Sequence, residues 1–101
     1  MAAYLVVEAV ITDRKKFAAY AQRVPDAVAR AGGEYIVLGG EAETLEGDWG
    51  EERLVVHRWP DMDAARRFWH SDEYRDIKRL REGTGRFRVM LVQGCSTGVD
   101  E

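Results

Sequence analysis

The chain reads as an α+β protein, a ferredoxin-like βαββαβ sandwich built on one antiparallel sheet. Three observations predict it. An N-terminal run rich in Val and Ile, Tyr4 to Ile11, alternates as a strand does. Apolar residues at helical spacing follow it, and the same spacing returns after Trp59-Pro60. Between them, Gly39-Gly40 ends one short apolar run, an acidic segment crosses over, and Arg53-Leu54-Val55-Val56 opens another; that is the pattern of a hairpin with an elaborated turn.

Each element follows in order. In the first strand Leu5, Val7, Ala9 and Ile11 form a wholly apolar face, and Tyr4, Val6, Glu8 and Val10 form the other. Asp13 can cap a helix running to about Ala31, with Phe17, Tyr20, Val24, Val28 and Ala31 on its inner face. Pro25 should kink this helix or start a new segment after Val24. Gly32-Gly33 stops it. Tyr35 to Leu38 is the second strand and Leu54 to Trp59 the third. Asp61 caps the next helix, with Ala65, Phe68 and Trp69 inward, and Ser71 caps a short one containing Tyr74, Ile77 and Leu80. Gly83 and Gly85 break it before a last strand, Phe87 to Gln93.

At 101 residues the chain is expected to form one domain over residues 1–94, with 95–101 a flexible tail. A composition 46% hydrophobic and 33% charged belongs to an ordered globular protein. The net charge of −3 disfavours nucleic acid or an anionic membrane as partner. The charge is also uneven. Glu34 to Glu52 holds seven acids and no Lys or Arg, whereas Arg58 to Arg88 holds nine basic residues against six acids. Solvated faces explain most of this; an anion-attracting face is the alternative. The single cysteine, Cys95, excludes an intrachain disulfide and fits a reducing cytoplasm. Its place in the expected tail argues against catalysis. The first apolar run is too short to span a bilayer and, interrupted by Glu8, reads poorly as a signal peptide.

In this topology the strands lie in the order 4-1-3-2 and both helices cover one face. The other face would carry Tyr4, Val6, Val10, Leu54, Val56, Met90 and Val92, a patch too apolar to leave wet. A homodimer with two sheets facing each other as an α/β barrel solves this.

Glu8 and Arg58 are the sharpest candidate pair. They are expected on that shared face of neighbouring strands, either as an ion pair or as a ligand site with Arg58 holding a carboxylate or enolate and Glu8 acting as base. His57 points the other way and reads as a satisfied or exposed histidine, with an acid–base role as the alternative. With His70 it is too little for a metal site, so no metal is expected. Tyr20 and Tyr74 face the sheet from helices, as core or as the lining of a ligand cleft. Trp49, in the acidic crossover, is a natural anchor across a dimer, or a lid over a ligand. No phosphate loop, nucleophile elbow or CxxC pair is present, and no cofactor is expected.

Taken together, Tyr4, Asp13, Tyr20, Gly32-Gly33, Gly39-Gly40, Leu45 to Trp49, Arg53, Trp59-Pro60 and Trp69-His70-Ser71-Asp72-Glu73-Tyr74 make the chain, over roughly residues 3 to 94, resemble the family "domain of unknown function 1330". Arg58 is a departure: the family usually has an acid just before its aromatic-Pro pair. The resemblance implies the dimeric α/β-barrel superfamily, which includes cofactor-free monooxygenases, isomerases, dehalogenase-like proteins and proteins without known activity.

The expectation is therefore a cytoplasmic homodimer that binds a small molecule through Tyr4, Tyr20, Trp49, Arg58 and Tyr74, with cofactor-free action on a small organic acid or carbonyl compound, and Glu8, Arg58 and Tyr20 as catalytic candidates. The alternative is a homodimeric structural or interaction module without catalysis.

Overall fold

The computed structural model describes residues 1–95. The chain forms β1 (Ala3–Ile11), α1 (Arg14–Arg30), β2 (Glu34–Leu38), β3 (Arg53–Trp59), α2 (Met62–Trp69), α3 (Asp72–Lys78), a 3-10 turn at Arg79–Arg81 and β4 (Gly85–Gln93). The strands form one antiparallel sheet in the order β2-β3-β1-β4. This is the expected βαββαβ fold. Of the expected tail, residues 96–101 lie outside the described residues; Cys95 is exposed. Among the described residues, no helix is long and apolar enough to cross a membrane.

The caps fall where short polar side chains precede apolar periodicity. Asp13 accepts from the Lys16 amide at 3.0 Å, Asp61 from Ala64 at 2.7 Å and Ser71 from Tyr74 at 3.1 Å. Helix α1 does not restart after Val24: it runs through Pro25 to Arg30. Both Pro25 and Ala21, whose carbonyl loses its amide partner, are exposed, so water can satisfy the freed oxygen.

Strand alternation divides the sheet into two faces. Toward the helices, Leu5 is flanked by His57 and Leu91, Val7 by Val55 and Val89, and Ala9 by Arg53 and Phe87. This side meets Val24, Ala27 and Val28 of α1, Ala65 and Phe68 of α2, and Tyr74 and Ile77 of α3 to make the core. Trp59, buried at its end, is its largest member, and burying each such side chain contributes about 1.5–3 kcal/mol. Away from the helices, Val6 is flanked by Val56 and Met90, with Val37 beyond Val56, and Tyr4 is flanked by Arg58 and Val92. Met90 is 65% exposed, and Leu54, Val37 and Val92 are exposed beside it. The open apolar face therefore exists, made of the residues that alternation assigned to it.

Register shifts between Tyr35 and Val37, so Tyr35 stands beside His57 and Leu38 beside Val55, both on the helix side. That irregularity is what brings the Tyr35 ring to the imidazole.

Candidate functional site

Between α1 and the helix-facing side of the sheet lies a cavity of about 260 Å³. An apolar cavity of about 150 Å³ accommodates a benzene ring, so this one has room for a ring with substituents. Its floor is Leu5, Val7, Ala9, Val55 and Val89; its roof and ends include Phe17, Tyr20, Val24, Phe68 and Tyr74. A second hollow beside α2 touches Arg66 and His70, but Arg66 is already paired with Asp63.

The polar groups of the first cavity are few. The Tyr20 and Tyr74 hydroxyls lie 2.8 Å apart, joining α1 to α3. Burial, followed by the proximity of Tyr74, drives the Tyr20 phenol well above its ordinary pKa, and burial raises Tyr74 as well. Both therefore keep their protons at neutral pH. One proton occupies the shared hydrogen bond, and the other remains available to a ligand. Tyr35 is pushed up to about 12, chiefly by burial.

His57 is the unsatisfied member. Its imidazole is buried, and Nδ1 has no hydrogen-bond partner. The Tyr35 ring meets it edge-on with centroids 4.5 Å apart, and Phe68 stands 6.5 Å away. Burial lowers its pKa to about 4, so it is neutral at pH 7 and offers one donor nitrogen and one acceptor. Trp59 Nε1 is also buried without a partner, outside the cavity wall. An unpaired polar atom costs about 1–3 kcal/mol to bury, so the enclosed Nδ1 weakens the folded state by about that much.

Two arginines complete the wall. Arg81, in the 3-10 turn, lies over the Phe87 ring at 4.3 Å and the Tyr20 ring at 5.5 Å. Arg53 opens β3, and its guanidinium lies against Gly39, whose positive φ of 64° turns the chain out of β2.

Of the residues singled out from sequence, the structure brings Tyr20 and Tyr74 together in this cavity. Tyr4, Glu8 and Arg58 lie on the opposite, open face, so they do not meet the tyrosines. Nor do Glu8 and Arg58 pair. Glu8 stands opposite Leu54 and Arg88, four residues along β3 from Arg58, about 13 Å at strand rise. Its carboxylate accepts from Arg88 Nε at 3.1 Å and from Arg88 Nη2. Face assignment was right for both residues, but alternation says nothing about distance along a strand. Trp49 is 54% exposed in the crossover and donates from Nε1 to the Glu46 carbonyl at 3.1 Å. Among the described residues, no cluster of His, Cys, Asp or Glu could hold a metal ion.

His57, Tyr35, Arg53 and Arg81 were not recognised as one constellation from sequence. His57 could have been: its face is that of Val55 and Trp59, which faces the helices. Tyr35 depends on the β2 register shift and Arg81 on a 3-10 turn, and neither leaves a periodic signal.

Fold comparison defines a class first. The structure is similar to that of a Rhodopseudomonas palustris protein of unknown function, at TM-score 0.75 and 15% identity over 94% of this chain and 83% of that one. It is also similar to a variant of SnoaB, a cofactor-independent oxygenase from Streptomyces nogalater, at TM-score 0.66 and 17% identity over 98% and 97%. A protein from Caulobacter crescentus, provisionally described as an antibiotic biosynthesis monooxygenase, gives 0.60 and 18% over 93% and 91%. At these identities the likeness defines the fold alone, a ferredoxin-like α+β sandwich. The chain belongs to the family described as domain of unknown function (DUF1330), whose model matches residues 2–95. No curated protein matches it significantly in sequence.

Proposed function

We propose that the protein is a homodimeric small-molecule-binding α/β barrel, acting without a cofactor on a small organic acid or carbonyl compound. The observation that carries this reading is the cavity between α1 and the sheet, in which the Tyr20–Tyr74 hydroxyl pair and the His57 imidazole stand among apolar walls. Convergent polar groups in an otherwise apolar pocket are what orient a ligand.

The chemistry available is proton transfer and charge stabilisation. Neutral His57 takes a proton from the bound compound at Nε2, since Nδ1 is enclosed. The electron pair left behind moves onto a ligand oxygen, which the free tyrosine proton stabilises. With a pKa near 4 the imidazole is a weak base on its own; negative charge developing on a bound ligand raises its basicity. The similarity to SnoaB, a cofactor-independent oxygenase, supports a cofactor-free activity.

The open face supports the dimer. Val6, Val56, Met90, Val92 and Leu54 form a contiguous apolar surface, and a second copy is the simplest cover. Exposed Trp49, held by Glu46, fits an anchor against the partner. On this reading Glu8 and Arg88, and Arg58 with Tyr4, serve the interface, whereas Tyr20 and Tyr74 serve the ligand.

Screening small aromatic acids and carbonyl compounds by amide NMR tests the proposal. Shifts centred on Tyr20, Tyr35, His57 and Tyr74 are expected. Binding confined to the open face, or no binding at millimolar concentration, would leave a dimeric interaction module as the better reading.

A further inference from the structure

We propose that the ligand of this cavity is an organic anion, a carboxylate with a ring-sized apolar body whose charged end lies between Arg53 and Arg81. The inference rests on the small-molecule reading above and specifies its class.

The charges of the wall carry it. Arg53 and Arg81 are its only ionised side chains at neutral pH, since no Asp or Glu lines it and the histidine and tyrosines are uncharged. Among the described residues neither arginine takes part in an ion pair, a state they share with Arg14, Arg23, Arg58, Arg67 and Arg86, none of which lines the cavity. In a chain of net charge −3, with 18 acids, two unpaired guanidiniums at one hollow are a local reversal of sign.

Register puts the two arginines at one end. Arg53 and Phe87 flank Ala9 on either side, and Arg81 lies over Phe87. Held over the Phe87 ring, with no hydrogen bond from its guanidinium among the described residues, Arg81 keeps its N–H groups for a carboxylate. From this end the floor runs through Val55, Val7 and Val89 to His57, four residues from Arg53 on β3 or about 13 Å. A molecule with its anion at the arginines would lay a ring over the valines and direct a polar substituent toward the tyrosine hydroxyls or His57. The volume of about 260 Å³ suits one substituted ring, or two fused rings, and not a long chain.

The test is a matched pair of probes that differ in charge and little in shape, salicylate and salicylamide. Each is titrated by calorimetry into the wild-type protein, Arg81→Gln and Arg53→Gln, with amide NMR locating the site. Salicylate is expected to bind at least ten times more tightly than salicylamide. Each substitution should remove several-fold of that advantage by weakening salicylate much more than the amide, and Arg81→Lys should recover part. Added sodium chloride should weaken salicylate alone, a readout that stands even if Arg81→Gln fails to fold. Equal binding of the two probes, or an advantage that survives both substitutions, would overturn the anion and leave a small-molecule site in place. No binding by either, with no shift at the cavity, would overturn the site and the anion with it.

Discussion

The Tyr20 and Tyr74 hydroxyls share a hydrogen bond of 2.8 Å across 54 residues of sequence, and the bond ties α1 to α3 at the roof of the cavity. Phe68 packs on Tyr74 with ring centroids 4.6 Å apart, and Phe17 on Tyr20 at 5.3 Å. The phenols are thus set by packing before any ligand arrives. Tyr20→Phe and Tyr74→Phe should each cost about 1 kcal/mol. The double variant should cost less than the two together, because both remove the same bond. Urea unfolding of the four proteins checks this, and strictly additive losses would mean the hydroxyls are independent.

His57 gives the protein a pH dependence in acid. Its folded pKa of about 4 lies below the ordinary value of 6.5 because burial disfavours the imidazolium. Between those values the unfolded chain binds more protons than the folded one. Stability contributed by neutral His57 is therefore complete above pH 6.5, falls as pH drops below it, and levels off near 4. The loss over that window is about 3 kcal/mol. His57→Phe should flatten this part of the stability–pH curve, and the His57 imidazole resonances of the wild type should stay nearly unmoved from pH 7 to 5. Titration of His57 near 6.5 would contradict the burial argument.

The open face should control assembly. Met90 is 65% exposed in the single chain, so Met90→Glu should change the stability of one subunit by no more than about 0.5 kcal/mol. In a dimer it would put a carboxylate into an apolar interface. Sedimentation should find the wild type as two copies at micromolar concentration and Met90→Glu as one, with matching circular dichroism. A wild type that sediments as a single chain would remove the dimer.

Gly33 tests the packing behind His57. A Cβ there would come within 2.6 Å of Trp59 Cζ2, and Trp59 is fully enclosed. Gly33→Ala should destabilise by about 1–3 kcal/mol, as overpacking does. For a domain of this size that is a fall in Tm of about 4–8 °C per kcal/mol. An unchanged Tm would show that the ring has room to retreat.

The fold was legible because it depends on local signals. Asp13, Asp61 and Ser71 announce helix starts, Gly39 ends β2, and alternation from Tyr4 to Ile11 separates the faces of β1. The same alternation put Glu8 and Arg58 on one face, but the step from shared face to contact needed register, and register gave Glu8 to Arg88. Tyr20 and Tyr74 were legible as inward phenols. Their bond was not, because it joins two helices whose crossing no periodicity encodes. The arginines were hidden for a similar reason: within a basic stretch, the 3-10 turn selects Arg81 for the cavity while Arg79, two residues before, pairs with Asp76.

Native mass spectrometry on freshly purified protein tests the central claim most directly, that this is a dimer with a small-molecule cavity in each subunit. The predicted spectrum is a dimer mass carrying a reproducible small adduct, acquired in the cell or on incubation with a panel of small organic acids and carbonyl compounds, and lost on denaturation. A single-chain mass that stays bare throughout the same panel would contradict both halves of the account.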